Sequence, residues 1–245
     1  MKFQTTPSLI AMKYKNQLQP QSAGIKKSRW SLSWLALAAC VILSPNALLG
    51  KDDKQTKLVC FGDSITKRGY PELLGKSLKI EAINAGVAGN SSSAGLRRMQ
   101  KDVLVLKPDI VVIFFGTNDL RADEPRVYVP IKKYEENLKR MVDECRKINA
   151  KVVICTLPPI DEKTFFERHE TKEFDKLGGL NKILASYRET AIKVAESEKL
   201  PVVDLNKKLA EQPEWLSKDG VHPSPEGNEI IAHLIGEAVA PLLEK

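Results

Sequence analysis

Ile110-Val111-Val112-Ile113-Phe114-Phe115 is the most continuous apolar run beyond residue 50, and it constrains the fold more than any other stretch. Six apolar residues in succession leave no polar face for solvent, so a strand made from them must be covered on both sides. Parallel sheets flanked by helices provide that cover. Shorter apolar runs at 57–61, 80–84, 151–156 and 202–205 read as four further strands. Helical patterns separate them, at 71–78, from about Ala94 with Leu96, Met99, Val103 and Leu104 on one stripe, then at 131–148, 180–198 and 225–243. Pro71 suits a first helical turn, and the serines at 91–93 suit a cap for the helix that follows them. Strands alternating with helices predict right-handed crossovers and a three-layer α/β/α sandwich around a central five-stranded parallel sheet. Residues 160–176 are polar and poorly periodic despite Phe165 and Phe166, and read as a long loop that either shapes a pocket or runs over the surface. The pattern shows no internal repeat and no second domain.

The net charge of +7 suggests an acidic partner until its placement is considered. Residues 1–50 hold six basic residues and no acidic one, leaving 32 basic against 31 acidic from Lys51 onward, a net of about +1. The basic excess therefore belongs to a leader and gives no argument for nucleic-acid binding. Lys26, Lys27 and Arg29 form a positive n-region, and 30–43 is an apolar h-region too short for a comfortable membrane span. We therefore read 1–50 as a secretory signal cleaved just before Lys51, with 51–245 as a single domain, secreted or periplasmic and without a membrane span. Leu37-Ala38-Ala39-Cys40 resembles a lipoprotein processing site, so lipid anchoring at Cys40 is the alternative, and an uncleaved anchor the third. Cys60, Cys145 and Cys155 are an odd number, which excludes a complete disulfide framework, and no pair has zinc-ligand spacing.

Phe61-Gly62-Asp63-Ser64 stands where the first strand gives way to a helix, which places a serine hydroxyl at the carboxyl edge of the sheet, where ligands of open α/β folds collect. Asp and Ser are also ordinary capping residues, so this tetrapeptide alone marks a turn. The other strand ends carry matching groups: Gly89-Asn90 after the second, Gly116-Thr117-Asn118-Asp119 after the third, and Asp219-Gly220-Val221-His222-Pro223 before the last helix. A serine nucleophile needs a base, and the base needs an orienting carboxylate. His222 fills the first role and Asp219 the second. The oxyanion formed on an acyl carbonyl needs donors, for which the Ser64 and Gly89 backbone N–H groups and the Asn118 amide are candidates. Of the other histidines, His169 reads as solvated within the irregular loop and His233 as a helix-face residue. Arg68, Tyr70 and Arg121 lie near these blocks and read first as surface charge or core packing.

The set of four blocks, in this order, resembles the SGNH (GDSL-type) hydrolase family over nearly all of 57–245. The resemblance implies a flavodoxin-like fold and ester hydrolysis through an acyl-serine at Ser64, with Asp219 and His222 completing the triad. It also implies Ser64, Gly89 and Asn118 as the oxyanion hole, and neither metal nor organic cofactor. It leaves the substrate open among lysophospholipids, thioesters and acetylated sugars. Few aromatics and no long apolar stretch surround the motifs, which favours a short-chain (acetyl) ester on a carbohydrate or small molecule. A lysophospholipase or thioesterase, an acyltransferase with the same triad, and a non-catalytic glycan-binding relative are the alternatives.

Overall fold

The computed structural model describes residues 55–243. The expected leader at 1–50, with Cys40, lies outside the described residues. Strands β1 (Lys57–Gly62), β2 (Glu81–Gly86), β3 (Ile110–Phe114), β4 (Lys151–Cys155) and β5 (Val202–Val203) pair in parallel in the order β2-β1-β3-β4-β5. That is the flavodoxin-like order, with its reversal of direction at β1 and β3.

Period-two alternation divides the core into two layers. Val59 and Phe61 of β1 and Val111 and Ile113 of β3 point to one side. There they meet Met99 of α3 (Ser92–Asp102), Leu138, Met141 and Val142 of α4 (Ile131–Lys147), and Leu184 and Val194 of α7 (Leu180–Ser197). Leu58, Cys60, Ile110, Val112 and Phe114 face the other side. Leu74 of α2 (Tyr70–Leu78) and Ile231, Ile235 and Val239 of α9 (Pro225–Leu243) cover them. All five residues of β3 are buried; at roughly 1.5–3 kcal/mol per large aliphatic or aromatic side chain, this strand is a main source of core stabilisation. The central run thus sits where its composition requires, with β1 and β4 on either side.

Three expectations need correction. Residues 160–176 are not a continuous loop, since they contain α5 (Glu162–Phe166) and α6 (Lys172–Lys176). Asp161 caps α5 by accepting from Thr164 N, and the rings of Phe165, Phe166 and Phe174 pack edge-on with centroids 5.4–5.5 Å apart. β5 has two residues rather than four, because Asp204 leaves the strand to cap the short α8 (Leu205–Leu209). Ser91 occupies the N-cap of α3 without making a side-chain cap bond; the carboxylate of Asp119, from beyond β3, accepts from Ser92 N instead.

Candidate active site

β1 ends on Gly62, where a Cβ would lie 2.5 Å from the Phe114 carbonyl oxygen of the neighbouring strand. Glycine is what allows the two strands to stay paired up to the point where the chain turns. Asp63 then accepts from Ile65 N at 2.9 Å, so the capping reading of this residue holds, and the helical turn α1 (Ser64–Lys67) starts on Ser64. At four residues α1 carries little macrodipole, and individual donors matter more than the helix end.

Ser64 Oγ lies 2.8 Å from His222 Nε2, and His222 Nδ1 lies 2.7 Å from Asp219 Oδ2. The other oxygen of Asp219 accepts from the backbone N–H groups of His222 (2.8 Å) and Val221 (3.0 Å) and from the Ser217 hydroxyl (2.9 Å). Partial burial works to raise the Asp219 pKa, but these donors and the His222 ring outweigh it and hold the carboxyl well below its usual range. The carboxylate is therefore ionised and held against the imidazole. Asn118 Nδ2 donates to Asn90 O at 3.1 Å and approaches Asp63 Oδ2 at 3.4 Å, contacts that fix the amide beside Ser64. Gly89 has φ +75°, a left-handed conformation costly for any other residue type, and a Cβ there would meet nothing within 4 Å. Ser64, Gly89, Asn118 and His222 all line one cavity of about 610 Å³. It opens beyond β1 and β3, the topological switch point of the sheet.

Three further residues support or line this arrangement. Arg98 stacks 4.5 Å over the Phe61 ring and donates to Gly62 O, Ala85 O and Asn90 Oδ1, tying the first two blocks together. Asp119 is fully buried against Ser92. The backbone of its loop is anchored by Tyr134 Oη on Phe115 O and Tyr187 Oη on Asp119 O. His169 is less solvated than the loop reading expects: it is half-buried, stacks on Phe165 with centroids 4.2 Å apart and contacts Asp123 Oδ2 at 3.1 Å, on the cavity wall. Arg68 and Arg121 line the same cavity, while Tyr70 is buried core. His233 lies on α9, as expected.

Burial pushes the carboxyls of both Asp63 and Asp119 up to about 7 against the hydrogen bonds they accept. A carboxyl whose folded pKa exceeds its unfolded one binds a proton on folding between the two values, so its contribution to stability falls as the pH rises through that window. For these two groups the window runs from about 4 to about 7. Asp119→Asn should therefore flatten the decline in unfolding free energy between pH 5 and pH 7, by up to about 1.4 kcal/mol per pH unit. Urea titrations of both proteins at the two pH values check this, and identical slopes would count against it.

Among the described residues no three His, Cys, Asp or Glu side chains are grouped to hold a metal ion. Cys60, Cys145 and Cys155 are buried and free, with their thiols pushed up by burial, as fits small apolar packing groups.

A family model described as GDSL-like lipase/acylhydrolase matches residues 60–230. The chain is 32% identical over 208 residues to the human isoamyl acetate-hydrolyzing esterase 1 homolog, covering 77% of this chain and 82% of that one. Its fold matches a lipase/acylhydrolase from Enterococcus faecalis with a TM-score of 0.65 and 30% identity, over 76% of this chain and 96% of that one. It likewise matches the acetyl xylan esterase AlAXEase with a TM-score of 0.62 and 29% identity, over 75% and 99%.

Proposed function

The chain belongs to the GDSL-like lipase/acylhydrolase family and is a hydrolase of ester bonds, and on that premise we propose that it removes short acyl groups, acetyl above all, from a carbohydrate or small-molecule alcohol. In this reading His222 Nε2 takes the Ser64 proton as Oγ attacks the ester carbonyl. The oxyanion is met by the backbone N–H groups of Ser64 and Gly89 and by Asn118 Nδ2. Collapse breaks the bond to the alcohol, which leaves with the proton held by His222, and Ser64 keeps the acyl group. Water then enters, gives its proton to His222 and attacks the acyl carbon; the acid departs, and the proton returns to Ser64 Oγ. Asp219 holds the imidazole tautomer throughout and stabilises the imidazolium.

The observation that carries the short-chain reading is the cavity lining. Its apolar side chains are Ala88, Phe165 and Val221, beside Lys67, three arginines and His169. A dodecanoyl chain would leave most of its methylenes against charged groups or water, forgoing about 0.8 kcal/mol for each. The acetate esters named for the human relative and for the acetyl xylan esterase point the same way. We place the activity outside the cytoplasm on the leader alone.

The test is hydrolysis of p-nitrophenyl esters from acetate to dodecanoate. A kcat/KM that peaks at acetate and falls steadily with chain length supports the reading, whereas a peak at eight carbons or more would move it to a lysophospholipase or thioesterase. Asn118→Ala tests the oxyanion role separately. It should lower kcat on the acetate about 10²–10³-fold, the usual cost of one such donor. A change confined to KM would remove Asn118 from the oxyanion hole.

A further inference from the structure

The cavity that holds Ser64 and His222 is also lined by Lys67, Arg68, Arg121 and Arg168, and by no carboxylate. Two carboxylates stand behind these cations. Asp123 is gripped by Arg121 through Nε at 2.7 Å and Nη2 at 2.8 Å, and also contacts His169. Asp219 is occupied by His222 and lies 3.6 Å from Arg68. Both acids are held below the ordinary carboxylate range, so both are ionised at neutral pH. His169 is shifted down by its partial burial and by Arg121, which favours its neutral form. Four positive charges therefore line the cavity, against these two ionised carboxylates and the partly ionised Asp63 beside Asn118, in a domain whose total is close to neutral. Lys67 is exposed and makes no ion pair among the described residues, and the Arg168 guanidinium donates to the Asp219 carbonyl at the rim. These charges come from three separate segments: α1 and its C-cap, the loop after β3, and the stretch after α5. No one helix face accounts for their convergence.

We propose that the alcohol part of the substrate carries an oxyanion, a carboxylate or phosphate, that these cations recognise: the preferred substrate is an acetylated acidic sugar rather than a neutral one. The inference rests on the short-acyl esterase reading above, since an acetyl group has no room for a charge and the anion must then sit on the alcohol. Like-signed charges lining a concave site focus the field on incoming ligands and raise association. Arginine adds planar, paired donors matched to carboxylate and phosphate oxygens. The same field would hold the acidic alcohol against Ser64 during attack.

The experiment compares acetate release by the full chain from three O-acetylated methyl glycosides acetylated at the same position: the galactoside, the galacturonoside and the galactoside 6-phosphate. Expected is a kcat/KM about tenfold higher for at least one anionic ester than for the neutral one, with the advantage shrinking at about 0.5 M salt. Which anionic ester leads separates carboxylate from phosphate. Lys67→Glu should cut the anionic-to-neutral ratio several-fold. Equal rates, a preference for the neutral ester, or a ratio unmoved by both salt and Lys67→Glu would overturn the proposal and leave the esterase reading standing. If none of the three is hydrolysed, that reading fails on these sugars, and binding decides the anion question. The Ser64→Ala protein should bind galacturonate or galactose 6-phosphate more tightly than galactose by titration calorimetry, and equal or absent binding would overturn it.

Discussion

Ser64→Ala should lower kcat on p-nitrophenyl acetate by about 10⁴–10⁶ while leaving the fold intact, in line with serine triads generally. The substitution removes one hydroxyl whose partner among the described residues is His222 Nε2 at 2.8 Å, and Asp63 continues to cap α1 with its own side chain. The melting temperature should therefore stay within a few degrees of the parent. What remains of the rate would come from donors that still polarise the ester. Steady-state kinetics beside a thermal melt check both halves. A variant that keeps a tenth or more of the rate would mean that Ser64 is not the nucleophile.

Asp219→Asn is expected to cost about 10⁴ in kcat with a much smaller effect on KM, because it changes which imidazole nitrogen carries the proton. Asp219 Oδ1 accepts from two backbone N–H groups and the Ser217 hydroxyl, so the amide oxygen of an asparagine must occupy that position. The amide nitrogen is then left facing His222 Nδ1, where Oδ2 now sits at 2.7 Å. An N–H aimed at Nδ1 selects the tautomer with the proton on Nε2, and Nε2 can no longer take the proton of Ser64. Arg68 also loses its charge partner 3.6 Å away. A drop of less than about tenfold in kcat, with the protein shown to be folded, would contradict this role.

Much of the fold could be read from the chain because its determinants are local. The unbroken apolar run of β3 demands cover on both faces, and the stripe of Tyr134, Leu138, Met141, Val142 and Cys145 repeats at helical spacing along α4. The four blocks could be read because each ends a strand or opens the last helix, so sequence order alone brings them to one edge. What stayed hidden depends on partners far away in the chain. Asp119 looks like a loop residue until Ser92, 27 positions earlier, supplies its hydrogen bonds. Arg98 pairs with Asp102 one turn along α3, a contact its spacing allows, yet its other acceptors lie in β1, in β2 and beyond them. The rings of Phe165, Phe166 and Phe174 follow no period, so 160–176 reads as a loop although their packing folds it into two helices. The partial burial of His169 and its contact with Asp123, 46 positions away, follow from the same packing. The leader, placed by composition, lies outside the described residues.

The most direct measurement of the central claim is the site of acylation. Protein mixed with excess p-nitrophenyl acetate, quenched in acid within milliseconds and digested, should show one added acetyl group on the peptide bearing Ser64, at a level that rises with the first turnover and vanishes in Ser64→Ala. Acetyl found reproducibly on another residue, or steady turnover with Ser64 unmodified at every time point and undiminished in Ser64→Ala, would contradict hydrolysis through an acyl-serine at this site.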